Sequence, residues 1–300
     1  MPDSFTDAAE DAFAFLGDGL RLSILRALAS REPRAGPRSD AIAYSDLRRA
    51  VGERDSGKFS YHLDKLTGRF VEKTDGGYRL REPGREAVRL LDRGVVDGPI
   101  DFHAAPVGAR CPFCDGNVRV RYNDHHLVSY CTGCEGLFDA DEVPDGTLTG
   151  IVLPPATIEG TDPESLFRRA HRVFRRRLRP MFDGICLECG GDVERSMRCC
   201  LDHGGAPGTT CDACGTASPR LAELVCGTCG RGRVSHPLFG NPGADDVGAA
   251  AGEPSERDAW NRFAAFLTWT PETTEAAAVA FERPDGGERV LLDDDLCVLE

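Results

Sequence analysis

The first hundred residues carry apolar positions at helical spacing, and one short stretch alternates instead. Residues 71–80 alternate around Asp75-Gly76-Gly77, which is typical of a β-hairpin. Residues 31–40 hold two prolines and a glycine and therefore favour a loop. Helices are predicted over residues 11–16, 20–28 and 46–51, over the segment that places Phe59, Leu63 and Leu66 on one face, and over about 85–92.

Two polar residues stand where these helices are predicted to begin. Asp18 precedes the helix over residues 20–28, and Ser45 precedes the helix over residues 46–51. A side-chain oxygen at such a position accepts a hydrogen bond from a backbone N–H of the first turn. We therefore expect both residues to be N-caps.

Four helices followed by a hairpin and a last helix have the order of a winged helix-turn-helix. The tract FAFLGDGLRLSILRAL resembles the start of arsenic-repressor-type (ArsR-like) winged-helix transcriptional regulators. FSYHLDKL, followed by a hairpin with two glycines, resembles their recognition helix and wing. The resemblance covers about residues 10–93 and implies a domain that presents a helix to the DNA major groove.

The segment that resembles the recognition helix carries residue types that suit DNA binding. Ser56 and Ser60 are small enough for close approach, and the Tyr61 hydroxyl can donate to a phosphate or its ring contact a thymine methyl group. Four basic residues are placed to neutralise phosphates, two on the helix and two on the hairpin. The candidate DNA-binding residues are Ser56, Lys58, Ser60, Tyr61, Lys65, Lys73 and Arg79.

The distribution of charge favours the same region. The net charge is −13, but residues 1–100 hold 17 basic and 17 acidic side chains and are neutral. All three lysines fall between residues 58 and 73, against 33 arginines in the whole chain. An acidic, lysine-poor chain is typical of salt-adapted, haloarchaeal proteins. Within it, residues 44–93 carry 12 basic and 9 acidic side chains and form a candidate surface for a polyanion.

A second interpretation of this domain stays open. A winged helix also serves as a protein-binding module, in which the basic residues are ordinary solvated charge. For His62, which stands beside Leu63, packing or hydrogen bonding within the fold is favoured over contact with a base.

Cysteine usage predicts metal rather than disulfides. The acidic N-terminus shows no signal peptide, and no run of about 18 apolar residues offers a membrane span. We therefore expect a cytoplasmic protein, in which disulfides are rare. Of the 13 cysteines, 12 lie between Cys111 and Cys229, and such clustering of reduced thiols indicates metal ligands.

The first cysteine module has two CxxC pairs separated by 16 residues. Two thiolates at i and i+3 hold one side of a tetrahedral ion, and the second pair closes the other side. The residues between the pairs alternate and predict a hairpin, while Gly116 and Gly136 are expected to have positive φ. The module resembles a zinc ribbon, with the ligands Cys111, Cys114, Cys131 and Cys134.

A second module holds three more CxxC pairs and a Cys-Cys-x2-His segment, which suits one zinc ion or two. The favoured assignment joins the two later pairs, eleven residues apart, in one site. The earliest pair then shares a site with His203 and Cys200, or with Cys199 in place of Cys200. The rival assignment joins the first two pairs and leaves the last without a closed site. The candidate ligands are Cys186, Cys189, Cys200, His203, Cys211, Cys214, Cys226 and Cys229.

All these ligand sets are closed by four thiolates, or by three and a histidine, as in structural zinc sites. We expect two or three structural Zn²⁺ ions that supply much of the folding free energy of their modules. A redox switch at a CxxC pair is the less favoured alternative.

The remaining segments are less specific. Residues 160–183 form a predicted helix that begins at Asp162 and Pro163 and carries seven arginines. It is expected to be a connector that offsets acidic neighbours, with a dimer or DNA contact as the alternative. Residues 237–300 are expected to form a helix over 258–267 and two strands, over 276–281 and 289–292, with Cys297 buried.

These expectations describe an α+β multidomain protein with a small α/β C-terminal tail. The predicted parts are a winged helix-turn-helix over residues 1–97, a zinc ribbon over 107–157, the connector helix over 160–183, a second multi-cysteine zinc module over 184–236, and the C-terminal region over 237–300.

The function predicted from the sequence is a DNA-binding transcriptional regulator, active as a homodimer on double-stranded DNA. Its zinc modules would scaffold, dimerise or sense. The alternative is a zinc-ribbon adaptor that binds proteins of the transcription or translation apparatus. An enzyme is disfavoured because the chain carries no nucleophile elbow, P-loop, HExxH or dinucleotide fingerprint.

Overall fold

A computed structural model describes residues 16–31, 41–94, 102–141, 143–204, 208–241, 258–274, 278–287 and 289–299 of the 300-residue chain. The chain divides into two compact units, Met1–Gly98 and Pro99–Glu300. The protein is mixed α and β, with several small antiparallel sheets. The helix predicted over residues 11–16 and the loop predicted over 31–40 lie almost entirely outside the described residues.

In its described part, the first unit has three helices, a β-hairpin and a fourth helix, in that order. Phe59, Leu63 and Leu66 pack with Ile24, Leu25 and other apolar side chains into a core of their own. The hairpin pairs Val71 with Leu80 and Thr74 with Gly77, so that Asp75 and Gly76 form its two-residue turn. The elements are α1 (Gly19–Ala29), α2 (Tyr44–Val51), α3 (Ser56–Leu66), β1 (Val71–Thr74), β2 (Gly77–Leu80) and α4 (Glu82–Asp92).

One of the two predicted caps in this unit is confirmed. The Asp18 carboxylate accepts hydrogen bonds from the N–H groups of Leu20 and Arg21, at 3.0 and 3.1 Å. The prediction for Ser45 was wrong, because α2 begins at Tyr44, two residues earlier than predicted, and Ala43 takes the N-cap position without a side-chain cap. The ring of Tyr44 packs edge-on against Phe59 at 5.2 Å and so holds Tyr44 in the helix.

The second unit contains three antiparallel sheets around one hydrophobic core. The first two sheets have the orders β3-β4-β5-β6 and β7-β8-β9, and the third has the order β10-β11-β12-β13. The strands are β3 (Phe102–Arg110), β4 (Asn117–Asn123), β5 (His126–Cys131), β6 (Thr147–Val152), β7 (Val193–Cys199), β8 (Arg220–Cys226), β9 (Gly232–Ser235), β10 (Thr270–Thr273), β11 (Val279–Glu282), β12 (Arg289–Leu292) and β13 (Val298–Leu299).

In the described part of the second unit there are two α-helices, α5 (Pro163–Phe182) and α6 (Asp258–Phe266). The Asp162 carboxylate caps α5 by accepting from the N–H of Ser165 at 3.0 Å, as predicted. The apolar face of α5, which includes Leu166, Ala170 and Leu178, is fully buried in the common core. The arginine-rich helix is therefore a central element of this unit.

The C-terminal region departs from the sequence prediction in two respects. It forms four strands instead of two, because Thr270–Thr273 and Val298–Leu299 pair on either side of the predicted strands. Cys297, expected to be buried, is exposed. The neighbouring Leu296 takes the buried position, with a positive φ of 64° that turns the chain there.

Candidate functional site

Three groups of cysteine and histidine side chains in the second unit bring their ligand atoms within 4.8 Å of one another. All 13 cysteines are free thiols. Two sulfurs bound to one tetrahedral zinc at about 2.3 Å lie about 3.8 Å apart, so these groups have the spacing of closed metal sites. Cluster 1 is Cys111, Cys114, Cys131 and Cys134, cluster 2 is Cys186, Cys189, Cys226 and Cys229, and cluster 3 is Cys200, His203, Cys211 and Cys214.

Cluster 1 lies at one end of the first sheet. Cys111 follows β3, and Cys131 is the last residue of β5, so the β4–β5 hairpin brings the two CxxC turns together. The Sγ atoms of Cys111 and Cys134 are 3.6 Å apart, and those of Cys114 and Cys131 are 3.4 Å apart. The four sulfurs predicted to form one site are therefore brought together.

Cluster 2 joins the CxxC turn that precedes β7 to the CxxC turn at the end of β8, the middle strand of the second sheet. The Sγ atoms of Cys186 and Cys229 are 3.8 Å apart, and those of Cys189 and Cys226 are 3.5 Å apart. The N–H of Gly227 donates to the carbonyl of Asp192 at 3.1 Å and ties one turn to the other.

Cluster 3 lies at the opposite end of the same strand pair. Cys200 follows β7 directly, and the Sγ of Cys214 lies 3.6 Å from Nδ1 of His203. Its segment also contacts cluster 1, because the Glu135 carboxylate accepts from the N–H and the hydroxyl of Thr210, at 2.8 and 3.0 Å.

Both ligand pairings suggested for the second module were wrong. The register of β7 against β8 explains the difference, since Val193 pairs with Cys226 and Cys199 pairs with Arg220. Antiparallel strands of equal length place the start of one beside the end of the other. The first CxxC pair therefore meets the last, and the middle pair meets Cys200 and His203. Cys199 is exposed and belongs to none of the three clusters.

Four of the five CxxC turns have a positive φ at the residue after the second cysteine, and the turn that ends at Cys134 does not. Gly190, Gly215 and Gly230 each follow the second cysteine of a pair and have φ between 65° and 74°. In cluster 1 the same position is Asp115, with φ of 55°, so the prediction of positive φ at Gly116 was wrong. The prediction was correct for Gly136, whose φ is 78°.

Backbone dipoles and burial set the acidity of the thiols. The N–H of Cys229 lowers the pKa of Cys226 to about 6, and the N–H of Gly204 lowers the pKa of Cys211 to about 7. Burial raises the pKa of Cys111 to about 11. Metals bind the thiolate form, so clusters 2 and 3 each hold at least one thiol that is readily ionised.

Two histidines that the sequence did not single out are buried in the same unit. Burial lowers the pKa of His171 to about 4 and that of His236 to about 3. His171 lies on α5 against Phe167 and Trp260, with ring centroids 4.4 and 5.0 Å away. His171 falls within the apolar stripe of α5, and that position was the available signal of burial.

The candidate DNA-binding residues lie on α3 and the hairpin of the first unit. Ser56, Lys58, Tyr61 and Lys65 are exposed on α3, and the side chain of Tyr61 is 59% exposed. Lys58, Tyr61 and Lys65 follow i, i+3, i+7 spacing and form one stripe, which is hereafter the α3 stripe. Lys65 Nζ lies 5.7 Å from the centroid of the Tyr61 ring.

Several candidates also have partners within the unit. Lys58 Nζ lies 3.3 Å from a carboxylate oxygen of Glu53, and Arg79 Nε lies 2.9 Å from one of Glu72. Lys73 on β1 is exposed, with Nζ 5.8 Å from the centroid of the Tyr78 ring. Two of the four basic side chains are therefore in ion pairs, and any phosphate would have to compete with Glu53 and Glu72.

Ser60 and His62 have roles within the fold. The Ser60 hydroxyl lies 2.8 Å from the Tyr44 hydroxyl, which links α3 to α2. His62 is mostly covered, and its Nδ1 lies 3.3 Å from the Asp18 carboxylate that caps α1. The favoured interpretation of His62 as a packed residue agrees with this position.

The fold and the three clusters define a two-unit α and β protein with cysteine-rich groups that can hold metal ions. Residues 108–298 match the family described as Domain of unknown function (DUF7351), and the protein belongs to that family. Residues 9–91 match a second family model, Domain of unknown function (DUF7347).

Other comparisons reach less of the chain. It is 27% identical over 103 residues to the large ribosomal subunit protein uL24 of Thermotoga neapolitana, a match that covers 33% of this chain and 96% of that protein. No solved structure matches the chain. Among the described residues, no helix combines the length and apolar character needed to cross a bilayer.

Proposed function

We propose that the protein is a DNA-binding transcriptional regulator whose first unit is a winged helix-turn-helix and whose second unit is a scaffold held by structural zinc. In this proposal α3 enters the major groove and the β1–β2 hairpin is the wing. The α3 stripe carries the proposal, because it leaves two lysines and an exposed tyrosine on the face opposite Phe59, Leu63 and Leu66.

The chemistry of the α3 stripe suits a duplex. An exposed tyrosine ring is costly to leave in water and suits contact with a base or sugar, while the neighbouring ammonium groups suit phosphates. The Asp55 carboxylate accepts from the N–H groups of Gly57 and Lys58, at 2.8 and 3.0 Å. This cap occupies the N-terminal donors of α3, so side chains rather than the helix terminus would contact the phosphates.

Zinc is the proposed metal because the donor sets are four thiolates in clusters 1 and 2, and three thiolates with one imidazole in cluster 3. Such sets close the coordination shell and leave no open position for a substrate. In this proposal the cytoplasmic protein binds DNA as a homodimer, since two-fold symmetry matches paired half-sites.

Fluorescence anisotropy with a labelled duplex from the region upstream of the protein's own coding sequence, across a salt series, tests DNA binding. We expect Tyr61→Ala to reduce the preference for this duplex over random DNA. Lys65→Gln is expected to weaken binding to both duplexes and to lower the slope of log affinity against log salt by about one.

The matched control is Arg89→Gln on α4, which removes one positive charge from an exposed side chain outside the α3 stripe. It should leave both the preference and the salt slope unchanged. DNA binding is contradicted if the wild-type protein shows no preference for its duplex, or if the control weakens binding as much as Lys65→Gln.

A second candidate function, a protein-binding adaptor, is favoured by one observation. Ile185 and Leu187 beside cluster 2, and Leu201 beside cluster 3, are 53%, 58% and 89% exposed. Exposed apolar side chains held by rigid turns are typical of protein contacts. A stoichiometric partner that is lost in Leu187→Ser with Leu201→Ser, without any DNA footprint, would favour the adaptor.

A further inference from the structure

A cavity of about 260 Å³ lies inside the second unit. It is bordered by strands β6 and β9 and by helices α5 and α6. β6 and β9 are the outer strands of two different sheets, so their outer edges present backbone groups that no neighbouring strand of the same sheet uses. The cavity therefore opens between two sheet edges instead of inside a continuous sheet.

The walls of the cavity combine apolar side chains with two arginines. The apolar side chains include Leu148, Ile151, Phe174 and Phe263. The positive side chains are Arg177 from α5 and Arg233 from β9. Among the described residues that line the cavity, none is Asp or Glu.

Both arginines are held by the backbone. The guanidinium of Arg177 donates to the carbonyl of Val152 at 2.7 Å, and that of Arg233 donates to the carbonyl of Gly232 at 2.8 Å. Burial lowers the pKa of Arg233, the positive charges of Arg231 and Arg177 lower it further, and the charges of Glu188 and Cys186 act in the opposite direction. An anion bound in the cavity would interact favourably with both guanidinium groups.

Ser235 supplies an independent indication of a ligand. Its side chain is only 3% exposed, it lines the cavity, and its hydroxyl oxygen has no hydrogen-bond partner among the described residues. A buried hydroxyl without a partner is unfavourable, and native proteins keep few of them. This oxygen has less than 1 Å² of accessible surface, so a ligand oxygen in the cavity would satisfy it once the Ser235 side chain rotates toward the cavity.

We propose that this cavity binds a small organic anion: a carboxylic acid whose apolar body packs on Phe174 and Phe263 and whose carboxylate accepts from Arg177, Arg233 and Ser235. The site does not depend on the proposed DNA binding, since all of its residues belong to the second unit. A planar carboxylate matches the fork of guanidinium donors, and an uncharged amide of the same shape does not.

Titration of the full-length protein with three acids and their amides tests the site. The probes are phenylacetate, indole-3-acetate and hexanoate, each compared with its amide, and isothermal titration calorimetry measures binding. We expect at least one acid to bind at least tenfold more tightly than its amide. Because Trp260 packs on Phe263 with ring centroids 5.8 Å apart, phenylacetate and hexanoate should also change tryptophan emission.

Variants localise the site. Arg177→Gln and Arg233→Gln are each expected to weaken the best acid at least tenfold. Arg176→Gln changes the adjacent, exposed arginine of α5, which does not line the cavity, and should bind as the wild type does. Circular dichroism spectra check that each variant is folded.

The variant Ser235→Ala tests whether the Ser235 hydroxyl binds the ligand or only contributes to the stability of the fold. Because the hydroxyl has no partner, its removal should leave the thermal midpoint of the free protein unchanged or higher, yet weaken acid binding several-fold. The proposal is overturned if no acid binds below 10 mM, if amides bind as tightly as acids, or if Arg233→Gln and Ser235→Ala retain wild-type affinity.

Discussion

The two units of the molecule reach a folded state by different means. The first unit has no cysteine and a core of side chains such as Ile24, Phe59 and Leu80 that lie on regular helices and one hairpin. The second unit gathers three sheets around one core, and each of its three cysteine clusters joins two segments of the chain. We expect the clusters, when they hold metal, to cross-link the turns of the second unit, a contribution that the cysteine-free first unit lacks.

Removal of metal gives the largest expected difference between the units. Structural zinc sites contribute about 10 kcal/mol or more of binding free energy, so a strong chelator should unfold most of the second unit and spare the first. Both tryptophans, Trp260 and Trp269, lie in the second unit, and their emission should shift to the red. Helical circular dichroism from the first unit should persist, and added zinc should restore the emission. An unchanged emission spectrum after complete metal removal would contradict a metal-dependent second unit.

Pairs of ligand variants sharpen the assignment of the clusters. Cys186→Ser with Cys226→Ser touches one cluster and should remove one metal ion, whereas Cys186→Ser with Cys211→Ser touches two and should remove two. Each lost ion should cost about 4 kcal/mol or more of stability. Native mass spectrometry gives the stoichiometry, and Cys199→Ser should keep every ion. If Cys186→Ser with Cys226→Ser lost two ions, the two cysteines would belong to different sites, as in the assignment favoured from the sequence.

Acidification should also affect the second unit more than the first. His171 and His236 have folded pKa values of about 4 and 3, below the unfolded value of about 6.5, so the unfolded chain binds more protons between these limits. Stability is therefore complete above pH 6.5 and falls as the pH drops. At pH 5.5 the two histidines together should cost about 3 kcal/mol.

Urea unfolding followed by tryptophan emission at pH 7.5 and 5.5 measures this difference. His171→Gln should remove about half of it, and the exposed His103→Gln should remove none. Metal content is measured at both pH values, so that loss of metal is separated from protonation of the histidines. An equal pH dependence in wild type and His171→Gln would show that the buried ring is not responsible.

The smallest effects concern the turns that hold the ligands. Gly190 has φ of 74°, and a Cβ there would meet no atom within 4 Å, so Gly190→Ala tests backbone strain alone. It should cost about 1–2 kcal/mol. Asp115 occupies the matching position in cluster 1 with φ of 55°, and Asp115→Gly should instead stabilise the protein by up to about 1 kcal/mol. Thermal midpoints measure both, and effects of the same sign would contradict a shared turn conformation.

Local patterns predicted the helices and hairpin of the first unit, the β4–β5 hairpin, α5, α6, β11 and β12, but not β3 or β6–β9. The helix that carries Phe59, Leu63 and Leu66, the Asp18 cap and all the cluster ligands followed from spacing along the chain. The pairing of ligands in clusters 2 and 3 did not follow from it, because it depends on the register of β7 against β8. The edge strand β10 was missed because Thr270–Thr273 contains Pro271 and shows no alternation of apolar and polar residues, and β13 was missed because it has only two residues.

Cavities are a further class of feature that spacing does not reveal. Arg177, Arg233 and Ser235 come from a helix and a strand more than fifty residues apart, and nothing in their local sequence marks them as neighbours. Only the packing of α5 against two sheet edges brings them to one space.

Along the sequence, the ligands of cluster 3 lie between the two CxxC pairs of cluster 2. This nesting affects the order in which the two ligand sets are completed during synthesis. The inner ligands all emerge from the ribosome by Cys214, whereas the outer set, whose Cys186 and Cys229 are 43 positions apart, is incomplete until Cys229 appears. The inner loop is also the shorter one and closes at lower entropic cost. During synthesis the ligand set of cluster 3 can thus be completed before that of cluster 2.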